Sequence, residues 1–360
     1  MTATTRSADP IGALLVQFDG GTKAALARAV SIVENRRSGA DALLAALHPR
    51  LGRARRVGIT GPPGAGKSTL TAELAASYRA AGLTVGIVAV DPTSPFTGGA
   101  LLGDRVRMES IALDPGIYIR SMATRGSVGG LAGATRDVTD VLDAFGFDRV
   151  IIETVGVGQT ELDVSRLADS TMVVLVPESG DSIQTLKAGL MEIADVFVVN
   201  KSDRPGSDRL RNEIELMLGM RGGDTMRNVP AHHGVDLARK PAKAAREAAR
   251  LSNTSRWTPP VLRAVAVKNE GTADVIAALD RHAQYLIEGG VLAERRRKRL
   301  RERVAEIVER TVRTRLWNDS ETSAWLSSRI PELESGRTNP FAVAQELVAR
   351  SGDLMTGRKA

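Results

Sequence analysis

From residue 57 onward the chain repeats one pattern: a short run of apolar and β-branched residues, then a longer helix-like stretch. The runs are 57–60 (VGIT), 85–90 (VGIVAV), 117–120 (IYIR), 149–153 (RVIIE), 171–176 (TMVVLV), 195–200 (DVFVVN) and 261–267 (VLRAVAV). Several are almost wholly apolar, as strands covered on both faces are. Strands that alternate with helices predict an α/β fold with a doubly wound, mostly parallel sheet. Ligands of such sheets sit at the carboxyl ends of the strands. The residues that close each run are therefore the first candidates for chemistry.

Helical extensions are expected on both sides of this core. Residues 1–50 read as an N-terminal helical arm, with Ile11, Leu14, Leu15 and Phe18, then Ala25, Leu26, Val30 and Val33, at helical spacing. Residues 51–288 hold the strands, interrupted by an insert at about 221–258 that is Gly-rich and then Ala- and Lys-rich. Residues 289–360 read as a C-terminal helical arm. Its long helix should span roughly 291–317, with Leu300, Val304, Ile307, Val308, Val312 and Leu316 on one stripe. Shorter helices are expected near 321–329 and 340–350.

The first run, VGIT, leads into Gly61-Pro62-Pro63-Gly64-Ala65-Gly66-Lys67-Ser68, followed by Thr69 and a helical stretch. This is G-x-x-x-x-G-K-[ST] in its required context of strand, loop and helix. The glycines let backbone N–H groups curl around a phosphate, and the helix N-terminus adds partial positive charge. Lys67 is placed to reach the β- and γ-phosphates, and the Ser68 hydroxyl to ligate Mg²⁺. The run DVFVVN opens Asn200-Lys201-Ser202-Asp203. In phosphate-loop proteins N-K-x-D selects guanine, so the nucleotide is expected to be GTP or GDP. The Asp203 carboxylate accepts from the ring N1–H and the exocyclic amine, donors that adenine lacks in that geometry. Lys201 should lay its stem along the base, and Asn200 should brace the neighbouring loops.

Three acids are candidates for the metal. Glu153 ends RVIIE, at the position where an acid beside the phosphate loop holds Mg²⁺. Asp91 ends VGIVAV, and Asp104 lies further along DPTSPFTGGALLGDRVRM, a candidate first switch. Lys67, Glu153 and Asp91 are the candidate catalytic residues, and Ser68, Asp91, Asp104 and Glu153 the candidate metal ligands. After Glu153 comes a second switch, in which Gly156 can offer its N–H to the γ-phosphate. Gln159 lies nearby.

These motifs resemble the MeaB/ArgK/MMAA family of GTPases, chaperones of adenosylcobalamin-dependent acyl-CoA mutases. The runs that carry the resemblance are GITGPPGAGKSTL, VAVDPTSPFTGGALLGDRVRM, RGSVGGLAGAT, IIETVGVGQTE and ADVFVVNKSD. It covers about residues 10–350 and is densest from 57 to 203. The resemblance implies that Gly61 to Thr69 hold the phosphates, that Asp91, Asp104 and Glu153 serve the magnesium site, and that Asp203 reads guanine. It implies a further switch over Glu178, Asp181 and Lys187, and a homodimer in which the helical arms take part. Methylmalonyl-CoA mutase is the implied partner, with isobutyryl- and hydroxyisobutyryl-type mutases as alternatives. One departure stands in the last base-contacting loop. The family places Ser-Ala there, whereas this chain reads Val265-Ala266-Val267-Lys268. The serine hydroxyl is lost, leaving the Ala266 N–H to face the guanine oxygen.

Composition narrows the other classes. Cysteine is absent, so disulfides, thiolate zinc sites and iron–sulfur clusters are excluded. The beginning MTATTRSADP lacks the apolar core of a secretory signal, and no run of about 18 apolar residues predicts a membrane span. The expected location is the cytoplasm. The net charge of +7 is concentrated in Arg295 to Arg303, but that stretch continues into an amphipathic helix. It therefore reads as a solvated or dimer-forming face, with no nucleic-acid partner expected. His232 and His233 are adjacent, point different ways and lack an acid cluster, so they read as a surface loop. An ATP-dependent kinase is the rival enzyme class, against which Asn200-Lys201-Ser202-Asp203 argues. An interaction module with a structural nucleotide is the rival without turnover.

Many GTPases carry a glutamine directly after the glycine of the second switch, where it orients the attacking water. Here that position is Val157. Phosphate release by the purified protein is expected to be slow with GTP alone and to rise when a partner is added. Equal rates with and without any partner would contradict this.

Overall fold

The computed structural model describes residues 10–92, 108–124, 130–154, 160–177, 189–221 and 257–350. The chain divides into two compact units, Met1–Leu292 and Ala293–Ala360.

The first unit is built on strands β1 (Arg55–Thr60), β2 (Val85–Pro92), β3 (Ile117–Thr124), β4 (Arg149–Thr154), β5 (Ser170–Leu175), β6 (Val196–Val199) and β7 (Val261–Arg263). Their order is β3-β2-β4-β1-β5-β6-β7, and every pairing is parallel. Connections from β1 to β4 build one half of the sheet, and those after β5 build the other. The reversal of direction falls beside β1, where a doubly wound sheet opens its ligand crevice.

Successive residues of a strand face opposite sides. In β4, Ile151 packs with Ile59, Leu70, Leu74 and Leu279, on the side covered by α4 (Lys67–Ala80) and α10 (Thr272–Glu288). Val150 and Ile152 enter the opposite core, with Leu14, Phe18, Leu26, Val30 and Leu43. Those side chains come from α1 (Pro10–Asp19), α2 (Lys23–Glu34) and α3 (Ala40–Leu47). Thus the N-terminal helices, with α6 (Gly130–Phe145), form one cover of the sheet. Burying each Leu or Ile side chain contributes about 2 kcal/mol. The first unit also holds α5 (Glu109–Ala112), α7 (Thr160–Leu167), α8 (Met191–Ile193) and α9 (Ser207–Arg221). Phe197 and Val199 pack with Leu210 and Ile214 of α9.

The final apolar run departs from expectation. A strand over 261–267 is predicted, yet β7 stops at Arg263. Val265 instead forms an isolated antiparallel bridge with Glu270, and Ala266–Lys268 form a 3₁₀ turn. The ladder ends because Ala266 donates its N–H to the Asn200 side chain rather than to a strand. The predicted insert lies mainly outside the described residues; of it, only the end of α9 and residues 257–258 are described.

In the second unit lies most of α11 (Val291–Asn318), with α12 (Ser320–Glu334) and α13 (Pro340–Arg350). Asp319 caps α12 by accepting from the Thr322 N–H at 2.8 Å. Helix α12 runs past the expected end at 329 and through Pro331. Leu300, Val304, Ile307 and Val308 of the predicted stripe are exposed.

Two buried polar clusters anchor the amino ends of the central strands. Arg56 binds Asp140 and Asp143 of α6, each at 2.8 Å. The fully buried Asp143 also accepts from the backbone N–H groups of Gly52, Arg53 and Ala54. Burial by itself would lower the Arg56 pKa, but Asp140, Asp143 and Asp169 outweigh it and push the pKa above the ordinary arginine value. The second cluster joins Ser170 Oγ to His282 Nδ1 at 2.8 Å, and His282 Nε2 to Asp195 Oδ1 at 3.1 Å. Asp195 also accepts the Thr171 N–H through its side chain and the Trp257 indole N–H through its carbonyl oxygen. This line of serine, histidine and aspartate is buried, and through the Asp195 carbonyl it pins Trp257 beside the sheet.

Asp143→Ala should lower the unfolding free energy by about 3 kcal/mol, because it strips Arg56 of one partner and orphans three amides. Urea unfolding measures this, and a change below about 1 kcal/mol would show that the cluster adds little.

Candidate functional site

The carboxyl ends of β1, β4 and β6 bring three sets of residues together. The loop after β1 holds Gly61 to Gly66 and passes into α4 at Lys67. Two glycines there are required by geometry. Gly61 has φ +139°, and a Cβ would lie 2.0 Å from the Val174 carbonyl oxygen. Gly66 has φ +83°, and a Cβ would lie 2.4 Å from Asn200 Nδ2. A loop held in this way turns backbone amides toward one point, and the first turn of α4 adds its dipole. Pro62, Gly64 and Ala65 complete the loop beside the exposed Pro63, and Thr69 lies in the first turn of α4. The Lys67 ammonium is buried and donates to the carbonyl oxygens of Gly61 (2.8 Å) and Pro62 (3.0 Å).

Ser68 and Glu153 meet although 85 residues separate them. Ser68 Oγ donates to Glu153 Oε1 at 2.7 Å, and both side chains are buried. The parallel register sets this contact: Glu153 lies opposite Ile59 of β1 on one side and Ala89 of β2 on the other. Asp91 follows two positions after Ala89, and its backbone pairs with Ala123. A hydroxyl and a carboxylate at this spot are hard oxygen donors of the kind that suits Mg²⁺. Among the described residues, no group of three or more His, Asp or Glu side chains forms a metal cluster.

The loop after β6 supplies the third set. The buried Asn200 donates from Nδ2 to the Ala65 carbonyl oxygen at 2.8 Å. Its Oδ1 accepts the Ala266 N–H at 3.1 Å. One side chain thus joins the loop after β1 to the loop after β7. The Ala266 N–H is engaged in this way because the amide oxygen of a buried asparagine needs a donor, and Ala266 provides it. Lys201 has a left-handed backbone with φ +54°, and the Ser202 N–H donates to the Ala264 carbonyl oxygen at 3.0 Å. Val265 is buried, while Val267 is exposed. The Asp203 carboxylate lies 3.6 Å from the Lys268 ammonium. Sequence reasoning gave Lys268 no role, because nothing in its spacing marks it out from other loop lysines. Asp104, Gly156, Gln159, Glu178, Asp181 and Lys187 lie outside the described residues.

The model of the family described as methylmalonyl-CoA mutase-associated GTPase MeaB matches residues 26–321, most of the chain. The chain belongs to the MeaB family. It is 45% identical over 299 residues to a Pyrococcus horikoshii protein named as a GTPase, covering 83% of this chain and 86% of that one. It is 30% identical over 345 residues to the mitochondrial methylmalonic aciduria type A homolog of Caenorhabditis elegans, covering 91% of this chain and 79% of the other. A crystal structure described as LAO/AO transport system kinase superposes with a TM-score of 0.61 over 94% of this chain and 96% of that one. At 24% identity that likeness speaks for the fold alone. As a MeaB-family protein the chain is a GTP hydrolase and binds guanine nucleotides. No helix among the described residues is long and apolar enough to cross a membrane.

Replacing Asn200 with Ala would leave the Ala65 carbonyl and the Ala266 amide without their partner. Stability should fall by about 2 kcal/mol in urea unfolding, and GDP binding should weaken at the same time. Unchanged stability and GDP affinity would show that the two loops are held by other contacts.

Proposed function

We propose that this GTPase is a nucleotide-switched chaperone that loads or protects an adenosylcobalamin-dependent acyl-CoA mutase, methylmalonyl-CoA mutase first. The observation that carries this reading is the family match over 26–321, whose description names association with that mutase. The name of the mitochondrial relative points the same way.

The site would work as follows. Gly61 to Thr69 wrap the phosphates, and Lys67 exchanges its loop carbonyls for β- and γ-phosphate oxygens. Ser68 and Glu153, with Asp91 and Asp104, hold Mg²⁺. When bound there, the ion would supply positive charge to offset that of the phosphates while water hydrolyses GTP to GDP and phosphate. Lys201 and Asp203 clasp the guanine, Asn200 braces their loop, and Val265, Ala266 and Val267 line the base. Gly156 and Gln159 read the γ-phosphate, and Glu178, Asp181 and Lys187 pass that state to the mutase. Residues 289–360 form the arm of a homodimer, and their exposed apolar stripe supports that role. The protein works in the cytoplasm, with no nucleic acid or membrane partner.

The test immobilises the protein with a non-hydrolysable GTP analogue or with GDP and passes native extract over each. Methylmalonyl-CoA mutase should be retained, and in different amounts in the two states. Retention of an isobutyryl- or hydroxyisobutyryl-type mutase instead would reassign the client. Retention of no mutase in either state would overturn the reading.

A further inference from the structure

We propose that Lys268 is a base-specificity residue, its ammonium donating to the carbonyl oxygen of guanine alongside the Asp203 carboxylate. The inference rests on the reading of Asp203 as the guanine acceptor and extends it to the third position of the base edge.

Guanine presents, in order, a carbonyl oxygen that accepts, a ring N–H that donates and an amine that donates. A carboxylate can satisfy the two donors, but it offers nothing to the oxygen and repels it. A complete match needs a donor beside the acid. Two backbone donors of this loop are already engaged, and one side chain brings none. Val265 carries no hydroxyl. The Ala266 N–H is used by Asn200 Oδ1, and the Lys268 N–H by the Val265 carbonyl oxygen at 2.9 Å.

The Lys268 ammonium, however, stands 3.6 Å from Asp203 Oδ2. The 3₁₀ turn Ala266–Lys268 brings it there, and the Val265–Glu270 bridge closes the base of that turn. Ammonium and acid side by side give donor, acceptor, acceptor, which is the order cytosine shows to guanine. Adenine carries an amine where guanine carries the oxygen, so a cation at this place also disfavours the wrong base. Both side chains are about half exposed, at 54% and 43%, so the ion pair itself adds little to folding. A role in recognition accounts for the placement better than a role in stability.

Calorimetric titration of the full chain tests this with two ligands, GDP and its 6-thio analogue, whose sulfur is a poor acceptor. Lys268→Met should weaken GDP about tenfold, as loss of a charged hydrogen bond does, and weaken the thio analogue far less. Lys268→Arg, which restores a cationic donor, should recover most of the GDP affinity. Equal losses for the two ligands, or no loss for either, would overturn the proposal. Asp203→Asn, titrated with GDP and xanthosine diphosphate, separates the two levels of the argument. If that variant shifts toward xanthosine diphosphate while Lys268→Met does not separate GDP from the thio analogue, only the Lys268 role falls. If Asp203→Asn leaves base preference unchanged, the reading of Asp203 falls and Lys268 falls with it.

Discussion

Asn200 lends the two ends of its carboxamide to two different loops: the nitrogen to the Ala65 carbonyl oxygen, the oxygen to the Ala266 amide. Ala65 and Ala266 also lie in the same apolar core on one side of the sheet. The bond to Ala65 also explains a glycine, since any side chain at position 66 would collide with the donating nitrogen. One buried side chain thus ties the phosphate end of the crevice to its base end. An asparagine can do this because it carries a donor and an acceptor on one rigid plane.

Below that joint, the parallel sheet decides which residues meet. Glu153 and Ser68 touch because β4 lies directly beside β1, a pairing made only after the chain has completed β2 and β3. The Arg56 cluster holds the amino end of β1 against α6, so the loop at the other end of that strand projects from a fixed base. The histidine cluster does the same for β5 and β6 through Ser170, Thr171 and Asp195. Both ends of the central strands are tied, one for support and one for chemistry.

Much of this was legible in the amino-acid order, and the reasons differ by element. Each strand is visible as an apolar run because helices cover both its faces. The phosphate loop and Asn200-Lys201-Ser202-Asp203 are visible because their chemistry fixes spacing within a few residues. What failed were features decided by distant partners. The run 261–267 has strand composition to its end, yet Asn200, more than 60 residues earlier, claims the amide that a longer ladder needed. Pro331 argues locally against helix, but α12 continues to Glu334. The Arg56–Asp143 and Ser170–His282 contacts leave no periodic trace, and the same holds for Lys268 beside Asp203.

The lysine at the head of α4 has a consequence of its own. Its ammonium is enclosed by the protein and rests on two carbonyl oxygens of the loop that surrounds it. Water has thus already been stripped from the cation during folding, and its tether has lost its rotational freedom. An arriving anion meets a charge that needs no further dehydration, only a short transfer from one pair of oxygens to another. Such prior ordering strengthens capture of the anion without any added contact.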